Sequence, residues 1–317
     1  MSTDALSATT SPARLQAQVD AMIRALGGYW RPVNAVARLL EELAELGQQL
    51  TAEDAVDRRA ELAGEFADLW IISTCLANQF TLTLADDHAE LADGGFVRLV
   101  EEAGRIARVV NFYDGPKNPR TLDGFPTLAA AIASFHRTLR ALAVACGVDL
   151  DAAVESKVAG GTDRDRGRFA VSYDPSTADS LRAFKPDLHS AQRLWGAPTW
   201  DERLTVEHNV DLIVPFLRCF AKAAGREGLD GFVIRLPDGP PTADLPALSR
   251  QLSRVLICLA ARGPQPNVAF PSDVRVPGWQ FSFGGTRLRI TVFSPLYPAP
   301  YPTHVDHGTY VLLQPTT

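Results

Sequence analysis

The sequence predicts a multi-domain protein in which an all-α domain precedes an α+β domain, and three observations indicate this fold class. Between residues 13 and 160, apolar residues recur at spacings of three and four and Ala and Leu dominate, which is typical of helices. Beyond residue 225, short alternating segments bounded by Gly and Pro indicate strands. The length of 317 residues is ordinary for two domains.

Composition and charge narrow the classes of function. The net charge of −6 argues against a nucleic-acid backbone or an anionic membrane as the main partner. No apolar run reaches the ~20 residues that span a bilayer, and there is no N-terminal signal pattern. The four cysteines sit singly without CxxC spacing, so we expect free thiols. We therefore expect a cytoplasmic protein with no nucleic-acid or membrane partner.

The helical part repeats itself. The segment "ARLLEELAEL" (37–46) matches "VRLVEEAGRI" (97–106). Each copy predicts a helical hairpin, and two hairpins make a four-helix bundle. The second copy has lost acidic residues: Arg105 stands where the first copy has Glu45, and Ala131 and Ser134 stand where it has Glu65 and Asp68.

The rest of the chain predicts a connection and then a second domain. Residues 171–200 are rich in Pro, Ser and Asp and predict a linker. In the following domain, residues 201–317, helices are expected at 200–226 and 243–262. The segment "WQFSFGGTRLRITVF" predicts a hairpin with a tight turn at its two glycines, and "TYVLLQP" a closing strand. We expect an antiparallel sheet.

Five carboxylates form the strongest signal for a site. On a helical wheel Glu41, Glu42 and Glu45 lie opposite a leucine stripe, which taken alone favours a solvated face. Glu65 and Asp68, however, lie with Glu61 along one side of a helix that becomes apolar all round beyond Asp68, as central helices are. If the two helices pack antiparallel the carboxylates converge, and charges ~4 Å apart repel by ~4 kcal/mol at an effective dielectric of about 20. Oxygen ligands without His or Cys select Mg²⁺ or Mn²⁺.

These residues carry a resemblance to a known family. The segment "EELAE" (41–45) followed by "EFAD" (65–68) resembles the motif of the MazG-like all-α nucleoside triphosphate pyrophosphohydrolases. The segment "GVDLDAAVESK" (147–157) is similar to the last helix of that family, and "DRDRGRF" to its basic tail. The resemblance covers residues 13–170.

The resemblance implies a Mg²⁺-dependent hydrolase that splits a nucleoside triphosphate into the monophosphate and pyrophosphate. It implies that Glu42, Glu45, Glu65 and Asp68 ligate Mg²⁺, with Mn²⁺ as an alternative ion. Glu41 would be an outer ligand or the base for the attacking water. Many relatives build the bundle from two chains or from a duplicated one, so a homodimer is one alternative.

Other residues near these segments have two interpretations each. Lys157, Arg164, Arg166 and Arg168 would contact phosphate, or they form a solvated basic tail. Trp30 would stack on a base, or it packs in the core. The competing hypothesis for the whole chain is a non-catalytic nucleotide sensor fused to a C-terminal effector or oxygenase-like domain.

The C-terminal domain more weakly resembles the YqcI/YcgG-like family, in "GLDGFVIRLP", "WQFSFGGTRLRITVFSPLYP" and "YVLLQP". Some members of that family are haem-dependent N-oxygenases. This chain lacks their Cys-Pro-rich N-terminal element and has Leu296 where a Cys is expected in the "SPLYP" loop. We therefore expect no haem.

Overall fold

The chain forms a helical unit and a unit that combines helices with a sheet. A computed structural model describes residues 11–51, 58–84, 95–164, 175–185, 188, 193–264 and 281–316. One unit comprises Met1–Asn111 and Asn118–Val171, and the other Phe112–Lys117 and Ser172–Thr317. The expected class, a helical domain followed by an α+β domain, is confirmed.

The helical part is organised around one central helix. Its elements in chain order are α1 (Pro12–Ala25), α2 (Pro32–Thr51), α3 (Arg58–Gln79), α4 (Phe96–Tyr113), α5 (Leu128–Ala145) and α6 (Leu150–Arg164). The third helix, α3, packs against α1, α2, α5 and α6. Its second half is buried on every side, as the apolar sequence predicts; the buried residues include Leu69, Trp70, Ile71, Ile72, Cys75 and Leu76.

The two copies of the repeat are not packed equivalently. Helices α2 and α3 pack closely along each other, whereas α4 and α5 lack a comparable backbone approach. Helix α5 packs on α3 instead, because α3 is apolar all round and buries helices on several sides. At the start of α4, the Phe96 ring lies against Gly47 of α2, where an added Cβ would come within 2.9 Å of the ring. The prediction that each copy forms a helical hairpin therefore describes α2 and α3 but not α4 and α5.

Helix α5 is the single helix in the described ranges that is long and apolar enough to cross a membrane by length and composition. Half of that span is buried inside the fold, as in a core helix.

The second unit contains a five-stranded sheet. Its elements are α7 (Ser176–Phe184), β1 (Leu194–Gly196), α8 (Val206–Glu227), β2 (Gly231–Leu236), a 3₁₀ turn (Pro240–Thr242), α9 (Leu245–Arg262), β3 (Phe281–Phe283), β4 (Thr286–Phe293) and β5 (Thr309–Pro315). The strand order is β1-β2-β5-β4-β3. Strand β1 is parallel to β2 and the other pairs are antiparallel, so the expected purely antiparallel sheet is corrected to a mixed one.

Two sequence predictions for this unit have different outcomes. The hairpin is confirmed: Gly284 and Gly285, with φ of 59° and 83°, connect β3 to β4 as a primed turn requires. The prediction of a linker at 171–200 is wrong, because that segment contains α7 and β1. Their apolar side chains are few but buried, among them Leu181 and Leu194, and a three-residue strand has too short a pattern to detect.

Helices cover both faces of the sheet. Val233 of β2 belongs to a buried cluster with Ala178 and Leu181 of α7. Its neighbour Phe232 points to the other face, where its ring lies 5.5 Å from that of Phe220 in α8. Strand β5, expected to close the sheet, runs through its centre between β2 and β4.

Candidate metal centre

Helix α2 places one glutamate of the motif inside the helical unit. Glu42 is 4% exposed, whereas Glu41 and Glu45 are exposed. Glu42 belongs to the same inward stripe as apolar residues at spacings of three and four: Ala35, Leu39, Leu43 and Leu46. The alternative interpretation, in which all three glutamates lie on a solvated helix face, holds for Glu41 and Glu45 but not for Glu42.

Helices α2 and α3 bring three of the predicted ligands together. Carboxylate oxygens of Glu42, Glu45 and Glu65 all lie within 4.8 Å of one another. Within the part of the chain that the structure describes, this is the one group of three acidic, His or Cys side chains with ligand atoms so close. The predicted convergence of carboxylates from two helices is thus present for these three residues, which we call the acidic cluster.

The fourth predicted ligand, Asp68, is engaged by a cation. The Lys157 ammonium of α6 donates a hydrogen bond to Asp68 Oδ2 and a second, of 3.3 Å, to the carbonyl of Gly64. Both side chains of the ion pair are largely buried. Lys157, predicted from sequence as a phosphate contact, therefore lies beside the acidic cluster.

The cluster accumulates negative charge that its surroundings only partly balance. Burial, and next the charge of Asp68, raise the pKa of Glu42 to about 7, although Arg38 opposes the shift. Burial and the charges of Glu45 and Asp68 also raise the pKa of Glu65, against the effect of Lys157. The site therefore favours a bound proton or a bound cation at neutral pH.

One carboxylate oxygen in the cluster has no partner in the described structure. Glu65 Oε2 is buried and accepts no hydrogen bond from any residue that the structure describes. A buried carboxylate oxygen without a donor is costly, and a cation removes that cost. The donor set is oxygen alone, which suits Mg²⁺ or Mn²⁺ better than softer ions. The residues present thus fit the implied ion.

Arg38 is a site residue that was not predicted from the sequence. Its guanidinium donates to Glu41 through Nη1 and to Glu42 through Nη2. The spacings of three and four between opposite charges could have indicated these pairs, because such residues are neighbours on one helix face. Arg38 thus holds one oxygen of the buried Glu42, and it also holds the exposed carboxylate of Glu41 beside the site.

The remaining predicted residues lie elsewhere or outside the described ranges. The carbonyl of Trp30 accepts a 2.7 Å hydrogen bond from the Gln79 side chain. Gln79 lies about 21 Å from Glu65 along α3, at a helical rise of about 1.5 Å per residue. Trp30 therefore does not adjoin the acidic cluster, and the packing alternative describes its half-buried ring. Arg164 ends α6, but its side chain lies outside the described structure, as do Arg166 and Arg168.

Comparison of the chain with protein-family models, with curated proteins and with solved structures finds no match.

Proposed function

We propose that the helical unit is a Mg²⁺-dependent nucleoside triphosphate pyrophosphohydrolase that releases a nucleoside monophosphate and pyrophosphate. One observation carries the proposal: carboxylate oxygens of three glutamates from two helices lie within 4.8 Å of one another. One of these glutamates, Glu65, has a buried oxygen with no hydrogen-bond partner in the described structure. The resemblance of the two acidic segments to the MazG-like family supplies the reaction class.

Each acidic residue has a distinct part in this proposal. Glu42, Glu45 and Glu65 hold the ion. When bound, Mg²⁺ neutralises phosphate oxygens and acidifies water, the chemistry that cleavage of a phosphoanhydride requires. Arg38 orients Glu42 through one of its two oxygens. We assign Glu41 an outer position, because its side chain is exposed and pairs with Arg38, which also pairs with Glu42.

Lys157 and Asp68 form the side of the site that faces the substrate phosphates in this proposal. Lys157 is a compact cation that neutralises Asp68 in the structure, and a triphosphate offers it competing oxygens. If the Lys157 ammonium moved from Asp68 to a phosphate oxygen, Asp68 would be the fourth carboxylate available to hold the ion. Binding of the nucleotide would then be linked to the number of carboxylates that hold the ion.

The test is to incubate the full chain with ribo- and deoxyribonucleoside triphosphates, with and without Mg²⁺, and to measure pyrophosphate and monophosphate. We expect equal amounts of the two products from at least one nucleotide, dependence on Mg²⁺, and loss of turnover of at least a hundredfold in Glu65→Gln. Glu61→Gln, on the same helix one turn earlier and exposed, is the matched control. Release of orthophosphate instead, or equal turnover in both variants, would contradict the proposal.

A non-catalytic nucleotide sensor is the second candidate, and the ion pair between Lys157 and Asp68 favours it. That pair already neutralises one of the four predicted ligands, so a site of this kind can bind a charged nucleotide without assembling a full catalytic set. Calorimetry separates the two functions: saturable, Mg²⁺-dependent nucleotide binding with no product after prolonged incubation supports the sensor.

A further inference from the structure

The Lys157 ammonium has a defined place beside the acidic cluster. It donates to Oδ2 of Asp68 and, at 3.3 Å, to the carbonyl oxygen of Gly64, one turn earlier on α3. The side chains of Lys157 and Asp68 are 20% and 25% exposed, because α6 packs along α3. An ion pair that is screened from water in this way is held more firmly than one on an open surface. Lys157 is therefore a fixed part of the site and does not belong to a solvated tail.

Asp68 belongs to the acidic cluster through its charge. After burial, the charge of Asp68 is the largest cause that raises the pKa of Glu42. It also contributes to the raised pKa of Glu65, after burial and the charge of Glu45. Asp68 follows Glu65 by three residues on α3, so the two carboxylates project from one face of that helix. Asp68 is thus the fourth carboxylate of the set, and Lys157 engages one of its oxygens.

The ammonium stands among ligands of the kind that a metal ion prefers. A lysine ammonium is a compact, strongly hydrated point charge, and Nζ of Lys157 contacts a carboxylate oxygen and a carbonyl oxygen. Mg²⁺ and Mn²⁺ prefer oxygen ligands of both types. The charge of Lys157 also acts beyond Asp68, because it opposes the rise in the pKa of Glu65 that burial causes. Lys157 thus balances negative charge that a bound ion would otherwise balance.

Lys157 and a divalent ion oppose each other at this site for two reasons. The ammonium takes up a carboxylate oxygen of Asp68 that would otherwise be available to the ion. Two cations that are close together also repel each other, most strongly where water is excluded. Both effects act in the same direction, so the affinity of the site for a free ion is lower while Lys157 pairs with Asp68.

We propose that Lys157 is an internal counter-ion of the metal centre, which competes with a divalent ion for Asp68 and keeps the affinity of the empty site for that ion low. The inference rests on the metal centre of the proposed function and adds a regulation of it. An ion pair that only joined α6 to α3 would stabilise the fold, but its loss would not transfer Asp68 to an ion. The two roles therefore differ in what removal of the ammonium does with Asp68 present and with Asp68 replaced.

The test is Mn²⁺ binding by the full chain at pH 8, measured from the paramagnetic resonance signal of the free ion. Lys157→Met keeps an apolar stem and removes the charge, and it should bind Mn²⁺ at least tenfold more tightly than the wild type. Arg59→Gln controls for the loss of a positive charge, because Arg59 is exposed and lies about 14 Å along α3 from Asp68, at a rise of about 1.5 Å per residue. It should change the affinity less than threefold.

A double variant shows whether Asp68 is the group that the ion gains. In Lys157→Met/Asp68→Asn, the affinity for Mn²⁺ should return to that of the wild type or below it, because the carboxylate that Lys157 releases has become a neutral amide. A tenfold gain that persists in the double variant would be an effect of overall charge alone and would overturn the competition for Asp68.

Thermal unfolding gives a second readout. Without divalent ions, Lys157→Met leaves the largely buried Asp68 without this cation and should unfold at a lower temperature than the wild type. Added Mn²⁺ should raise the unfolding temperature of Lys157→Met by more than that of the wild type, because the ion replaces the ammonium. If the variant is unfolded without ions, Mn²⁺ should restore its helical circular-dichroism signal.

The outcomes separate this inference from the proposed function. If the wild type binds Mn²⁺ and Lys157→Met binds it no more tightly, or stays unfolded when Mn²⁺ is added, the inference is overturned and the proposed function stands. Absence of saturable Mn²⁺ binding in the wild type and in every variant overturns both.

Discussion

Arg98 holds the buried carboxylate of Glu102 through an Nη2–Oε1 contact of 2.6 Å, in the same four-residue relation that Arg38 has to Glu42. Glu102 is 0% exposed, and its second oxygen faces Arg105 at 3.3 Å. Arg105 stands in the position of Glu45 in the first copy. The second copy therefore balances its buried glutamate with two arginines, whereas the first copy places a further carboxylate there.

Reversing the charge of Arg105 should therefore destabilise the second copy. Arg105→Glu removes one cation from Glu102 and adds a carboxylate beside it, and we expect a loss of about 1–2 kcal/mol in the free energy of unfolding. Arg108→Glu, exposed on the same helix, should change it by less than about 0.5 kcal/mol. Urea unfolding without divalent ions measures both; equal stability of the two variants would show that Arg105 does not balance Glu102.

The acidic cluster should make stability depend on pH. The folded-state pKa of Glu42, about 7, lies above its ordinary value of 4.5. The native state therefore binds more protons than the unfolded chain between these values, and this group's contribution to stability falls as pH rises from about 4.5 to 7.

Glu42→Gln isolates that contribution, because the amide keeps an acceptor for Arg38 and does not titrate. Without divalent ions, the stability of the wild type relative to Glu42→Gln should decrease over this pH range in urea unfolding. A difference that is constant with pH, or that increases, would contradict the raised pKa.

His136 should give the opposite dependence. Its ring stacks on Trp70 with centroids 5.3 Å apart and bonds to the Ser73 hydroxyl at 2.8 Å. Burial, and next the charge of Arg140, lower the pKa of His136 from 6.5 to about 3. The unfolded chain then binds more protons between these values, so the stability that neutral His136 contributes is present above pH 6.5 and is lost as pH falls. His136→Phe keeps the stacking on Trp70 and has no imidazole to titrate. In urea unfolding, its free energy of unfolding should therefore fall less than that of the wild type between pH 6.5 and 4. An identical fall in both proteins would contradict a lowered pKa of His136.

Two glycines should respond oppositely to alanine. A Cβ on Gly196 would lie 3.1 Å from the backbone N of Ala178 and 3.1 Å from Cβ of Thr177, because α7 packs directly on β1. We expect Gly196→Ala to cost about 1–3 kcal/mol. Gly225, exposed in α8 with open space around it, should gain about 0.5–1 kcal/mol as alanine. Thermal unfolding decides, and a neutral Gly196→Ala would mean that α7 can move away from β1.

The sequence was most informative where patterns are long. The run from Leu69 to Leu76, apolar on all sides, predicted a central helix, and the two glycines after Phe283 predicted the hairpin. Burial of Glu42 was not predicted, because a wheel of one helix shows spacing but not which neighbours cover it. Strand β1 escaped prediction because three residues carry no period, and the parallel pairing of β1 with β2 depends on contacts between segments far apart in sequence.

The most direct measurement for the central claim is Mn²⁺ binding at pH 8, followed by the paramagnetic resonance signal of the free ion. The acidic cluster predicts saturable binding in the wild type and in Glu61→Gln, and at least tenfold weaker binding in Glu65→Gln, which removes the negative charge of a carboxylate that has a buried oxygen without a partner in the described structure. Competition by excess Mg²⁺ should release the bound Mn²⁺. Binding of the same strength in Glu65→Gln and Glu61→Gln, or no saturable binding in the wild type, would contradict a metal centre at Glu42, Glu45 and Glu65.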